Sequence, residues 1–135
     1  MFELHPRLKA DTVKIADLPL CQVLLMKDAR YPWLILVPRK AELTEIHDLS
    51  IRARTELMEE ITQCSRIIQA LHSPDKINIG ALGNLVPQLH IHVVGRRTDD
   101  PAWPGPVWGV GEALAYDHDT LKDVRNQFMA ALIDG

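Results

Sequence analysis

After Ser50 the apolar residues fall three or four positions apart, whereas the apolar stretches before it are short blocks bounded by proline or charge. Leu57, Met58, Ile61, Cys64, Ile68 and Leu71 would share one face of a long helix. Glu56, Glu59, Glu60, Gln63 and Arg66 would cover much of the other face. Ser50 suits the N-cap, because a hydroxyl there can accept from a free first-turn amide, and His72-Ser73-Pro74 marks the end. Upstream, TVKIA (12–16), CQVLLM (21–26) and WLILV (33–37) have strand length, and Pro38 closes the third. The turns joining them are too short for crossovers, which predicts antiparallel pairing.

Two further strands are expected at 76–81 and 85–94, with Gly83-Asn84 as the turn between them and Pro87 near the start of the second. Residues 99–111 hold three of the nine prolines, three of the seven glycines and two of the three tryptophans, a composition that fits neither helix nor central strand. A structured surface loop is expected there. Asp119 or Thr120 would open a closing helix over about 119–133, with Leu121, Val124, Phe128, Ala131 and Leu132 facing inward. These elements describe an α+β fold: an antiparallel sheet of about five strands, one long helix and a C-terminal helix, in a single domain spanning residues 1–135.

Composition excludes several classes of function. Hydrophobic residues make up 47% of the 135, enough for a core and too many for wholesale disorder. A net charge of -3 lacks the basic excess expected of a non-specific nucleic-acid binder. The longest apolar runs are too short to cross a bilayer, and MFELHPRLKADT lacks the apolar core of a secretory signal. A cytoplasmic protein is expected. Cys21 and Cys64 have neither metal-ligand nor disulfide-framework spacing, and both read as small core side chains.

The chemistry concentrates in Gln88-Leu89-His90-Ile91-His92-Val93-Val94-Gly95. In a strand, Gln88, His90, His92 and Val94 share one face, with neighbouring Cα atoms about 6.5–7 Å apart. Two imidazoles so placed can act on one small charged group such as a phosphate. Imidazole titrates near pH ~6.5, so one ring can be a neutral nucleophile while its neighbour carries a proton. Two histidines on one strand are also half of a zinc site, although the sequence points to no third ligand among His5, His47, His72 and His118. A metal-dependent enzyme therefore stays open as an alternative. Arg96-Arg97 could meet phosphates or form a solvated strand end.

The stretch NIGALGNLVPQLHIHVVGRR (78–97) resembles the signature of the histidine triad (HIT) family, His-φ-His-φ-His-φ-φ after a glycine-bearing turn and an Asn-containing strand. Gln88 stands at the first histidine, His90 at the second and His92 at the third. WLILVPRKAELTEIHDLS resembles the family's strand, Pro-Lys/Arg and helix-opening segment, and Trp103-Pro104 is similar to the tail of the Hint branch. The likeness covers about residues 20–105.

The resemblance implies a nucleotide hydrolase or transferase without a required metal or other cofactor. Its substrate would be a nucleoside phosphoramidate, a dinucleoside polyphosphate or a similar conjugate, with a purine favoured. His90 would be the nucleophile, forming a nucleotidyl-histidine intermediate, and the His92 carbonyl would hold its tautomer. Backbone amides of the turn at Gly83, Asn84 and Leu85, through Val86, would steady phosphate charge. Asn78 would contact substrate near the scissile bond, and Asp28 would bind ribose. Leu24 and Leu36 would form a slot for the base, and Trp103 and Trp108 would serve as lid, partner cover or loop anchor. A homodimer is implied as well. Gln88 and Trp33 depart from the family pattern and would form an amide–indole pair in place of two histidines. Gln88 can orient a phosphate or leaving group but cannot protonate it, a loss of about 10²- to 10⁴-fold in rate. A nucleotide-binding module with weakened catalysis is therefore the alternative to an enzyme.

Overall fold

The computed structural model describes residues 1–134. Five antiparallel strands form one sheet in the order β1-β2-β3-β5-β4, where β1 is Thr12–Asp17, β2 Cys21–Met26, β3 Trp33–Pro38, β4 Lys76–Gly80 and β5 Ile91–Arg96. A short helix α1 (Pro6–Asp11) precedes the sheet, α2 (Ile51–His72) crosses it and α3 (His118–Asp134) closes the chain. No described helix is long and apolar enough to cross a membrane.

Helix α2 begins where the sequence places it. The Ser50 hydroxyl accepts from the Ala53 amide at 3.1 Å, and Ser73 ends the helix in the left-handed region at φ 47°. Leu57, Ile61, Cys64 and Ile68 are buried against the sheet, the leucine and isoleucines each contributing roughly 1.5–3 kcal/mol as large side chains withdrawn from water. Two members of the expected stripe behave otherwise: Met58 and Leu71 lie at its margins and are exposed. Glu60, expected on the outer face, is buried because its carboxylate accepts from the Leu20 and Cys21 amides, both at 2.8 Å. In α3, Phe128 and Leu132 are buried and Leu121 and Val124 pack at the core's edge, while Ala131 is half-buried.

The alternation of strand side chains produces two cores. Val23, Leu25, Leu34, Leu36 and Val93 face α2 and α3. Leu24, Trp33, Ile35, Val37 and Val94 face the other way, under the N-terminal segment and the loop after β5. Leu36, expected beside Leu24 in a base slot, is therefore on the helical side.

The strand expected at 85–94 starts only at Ile91. Residues 81–90 leave the ladder, with Gly83 at φ 77° and Pro87 unable to donate. The fourth strand correspondingly stops at Gly80, and α1 was not foreseen.

Candidate active site

The open side of the sheet carries a cavity of about 560 Å³. Its floor is Trp33 and Ile35 of β3 with His92 of β5, and His90 stands at its edge just before the strand. Register explains the grouping: Ile35 pairs with His92, Trp33 with Val94 and Gly80 with His92, so these residues lie on one face. The walls are Leu8 of α1, Met26 of β2 and the turn Gly83–Val86, with Val107 and Trp108 from the loop after β5. Leu24 packs beneath this region but does not line the cavity.

His90 and His92 are both buried, with ring centroids 4.9 Å apart and planes at 66°. His90 Nδ1 lies 2.7 Å from the Gln88 carbonyl, which can only accept. The ring therefore carries its proton on Nδ1 and keeps the Nε2 lone pair free. The orienting carbonyl belongs to Gln88 rather than His92, because the chain is irregular before Ile91.

Trp33 Nε1 donates to His92 Nδ1 at 3.0 Å. Burial holds the His92 pKa down at about 3, and the neighbouring His90 pushes the same way. The expectation of a protonated imidazole beside the nucleophile thus fails: His92 is a neutral ring with its remaining proton on Nε2. Trp108 meets His92 edge-on at 5.3 Å between centroids. It lies so close over Gly80 that a Cβ there would sit 2.9 Å from the indole.

Gln88 and Trp33 do not form the expected amide–indole pair. Trp33 is spent on His92, and the Gln88 carboxamide holds the N-terminal backbone, accepting from His5 N and donating to Glu3 O, both at 2.8 Å. Gln88 lines a second cavity of about 490 Å³, which also touches His90, Glu45 and His47.

Gly83, Asn84 and Leu85 reach the main cavity, and no hydrogen bond among the described residues engages the amides of 84–86. Asp28 also reaches it, but its oxygens are occupied. They accept from Arg30 N, Nε and Nη and from the Leu114 amide. Burial would raise the Asp28 pKa, but these hydrogen bonds and the Arg30 charge outweigh it and lower the value.

Asn78 and Trp103 do not line the cavity. Asn78 Oδ1 accepts from Arg96 Nη, and Trp103 lies against the same guanidinium at 5.7 Å. Arg96 is not a solvated strand end: it is buried and forms a two-point ion pair with Asp100, Nε–Oδ2 at 2.7 Å and Nη–Oδ1 at 2.9 Å. Arg7, Leu8, Asp11 and Arg30 line the cavity without having stood out in the sequence. Among the described residues, no cluster of three or more His, Cys, Asp or Glu side chains could hold a metal.

A family model described as HIT domain matches residues 7–99. The chain is similar to a histidine triad protein from Bradyrhizobium japonicum at 50% identity, with a TM-score of 0.93 and coverage of 96% of this chain and 97% of that one. It is also similar to one from Marinobacter aquaeolei at 43% identity, with a TM-score of 0.96 and coverage of 99% and 98%. A diadenosine triphosphate hydrolase from Plasmodium falciparum shares the fold at 14% identity and a TM-score of 0.63, over 99% of this chain and 82% of that one. Comparison with curated proteins gave no match.

Proposed function

Because the chain belongs to the histidine triad family, we propose that it is a nucleotide hydrolase or transferase working through His90. The observation that supports this most is the locked His90 tautomer in a cavity of nucleotide size. In this reading, Nε2 attacks the α-phosphorus of a nucleoside phosphoramidate, a dinucleoside polyphosphate or a similar conjugate. A nitrogen–phosphorus bond forms, and the leaving group departs with its electron pair. Water then attacks the same phosphorus and gives up a proton to solvent, the nucleotidyl–histidine bond breaks, and the pair returns to Nε2 as the monophosphate leaves.

The unengaged amides of 84–86 supply donors for phosphate charge, and neutral His92 adds its Nε2–H. Leu8, Met26 and Val107 offer apolar surface to the base, for which a purine is the proposed choice. Gln88 carries no titratable proton, so the leaving group takes its proton from solvent, and turnover favours leaving groups that need little protonation. A cytoplasmic homodimer completes the proposal.

The test is monophosphate release from a nucleoside phosphoramidate and from a dinucleoside polyphosphate, with intact mass of the quenched protein and His90→Ala as control. Release or a nucleotidyl adduct in wild type alone supports the reading. Nucleotide binding with neither would identify a binding module and overturn it.

A further inference from the structure

We propose that Gln88 is a positioning residue, whose carboxamide latches the N-terminal segment over the cavity while its carbonyl sets the ring of the adjacent nucleophile. The inference rests on the proposed nucleotide site and deepens it. It assigns residues 2–11, of which 2–6 precede the family match, to the substrate wall.

The geometry has three parts. First, the Gln88 amide engages the N-terminal backbone as a neighbouring strand would, with Oε1 on His5 N and Nε2 on Glu3 O at 2.8 Å each. A carboxamide presents donor and acceptor side by side, whereas imidazole presents its two nitrogens on diverging directions. The loss of a histidine here therefore replaces a proton carrier by a clamp. Second, the clamped segment has an inner face. Phe2 and Leu4 pack against the site-side core, Leu8 is buried in it, and Glu3 between them is exposed. His5 then starts α1 by accepting from the Arg7 amide on Nδ1, which brings Arg7 and Leu8 to the cavity. Third, the Gln88 carbonyl is the group that holds His90 Nδ1. One residue thus ties the wall to the nucleophile.

Arg7 is exposed and its nearest partner is Asp11, at 3.5 Å. A cation at the rim of the cavity suits the negative charge of a nucleotide phosphate chain. The latch decides whether Arg7 is presented.

The experiment compares wild type, Gln88→Leu, Gln88→Glu, Arg7→Ala and the Gln88→Leu/Arg7→Ala double variant. Adenosine monophosphate binding is measured by calorimetry, and phosphoramidate turnover is followed against pH. Amide exchange over residues 4–9 reports the latch itself. Gln88→Leu should weaken binding and raise KM about tenfold, as loss of two neutral hydrogen bonds implies. It should speed exchange at 4–9 and leave the pH profile of kcat in place. Gln88→Glu keeps only the acceptor and should fall between; it also serves if the leucine variant fails to fold. Arg7→Ala should weaken binding in the wild-type background and have no further effect beside Gln88→Leu. Equal affinity of wild type and Gln88→Leu, additive Arg7 and Gln88 effects, or a changed kcat pH profile at unchanged KM would each overturn the latch alone. No binding to wild type would overturn the nucleotide reading with it.

Discussion

The neutral state of His92 follows from what surrounds a single ring. Burial disfavours its charge most, the neighbouring His90 pushes the same way, and the indole N–H on Nδ1 occupies the lone pair that a second proton would take. The His92 ring should therefore show no titration between about pH 5 and 8 in histidine NMR spectra. Trp33→Phe removes the competing donor and leaves a buried acceptor unpaired. It should cost about 2 kcal/mol in urea denaturation and move His92 titration upward. A His92 that titrates near its ordinary value in wild type would show that the Trp33 bond does not hold it neutral. The sequence displayed both residues as departures or matches of the motif, yet hid their bond. Trp33 and His92 lie 59 positions apart, and only the β3–β5 register makes them diagonal neighbours. The Gln88 latch was hidden for the same reason, since its partners lie 83 and 85 positions away.

At the scale of elements, local patterns read well where the chain obeys one period. Helix α2 was visible from its cap and stripe, and β1, β2 and β3 from apolar blocks closed by turns. Between β4 and β5 the turn at Gly83-Asn84 was visible but its extent to residue 90 was not, because Leu85–Leu89 has strand-like composition while Gly83 and Pro87 take it out of the ladder. Helix α1 has only six residues, too few for a period to show. Glu60 illustrates a polar residue misread by helical position alone. It supplies acceptors for the amides at the start of β2, joining helix to sheet. Glu60→Ala should destabilise the fold by roughly 2–4 kcal/mol, because two buried donors lose their charged partner. A loss below half of that range in chemical denaturation would mean that water or a shifted backbone satisfies them. Gly80 makes the corresponding contact on the site side, where β4 lies under Trp108. Gly80→Ala should push the indole off His92, cost about 1–3 kcal/mol and weaken nucleotide binding more than it alters the distant helical core. Unchanged Trp fluorescence and affinity in that variant would show that the loop absorbs the methyl group.

Across the whole molecule, the sheet has unequal covers. Helices α2 and α3 pack on one face around an apolar core, while loops, a short helix and charged clasps cover the face that bears the site. Two of the pH-sensitive groups, Asp100 and His92, sit on the second side. Asp100 is held at about 2, first by hydrogen bonds from the Arg96 side chain and then, against the opposing effect of burial, by three backbone amides. Its folded value lies below the ordinary 3.8, so its stabilisation is complete above that value and is lost as pH falls toward about 2. His92 has an ordinary value of 6.5 and a folded value of about 3. The unfolded chain therefore binds a proton that the folded one refuses, and stability falls with a one-proton slope from about pH 6.5 to about 3. His72, lowered by burial and then by the Arg97 charge, adds loss in the same direction on the helical side. Acid should thus act in two windows, with the His92 window the milder in pH and the Asp100 window the lower. Amide exchange at about pH 4 should quicken over 1–11 and 97–114 before it quickens in the interior of α2, since the first window already strains the site face. Asp100→Asn should shrink the lower window, leaving the part that Asp28 contributes, and loosen 97–104 even at neutral pH, while leaving the upper window intact. Simultaneous opening of both faces, with a single acid transition in the wild type, would mean that the sheet transmits protonation at the site to the helical core without loss, and the molecule would then have one cooperative unit rather than a stable half carrying a looser one.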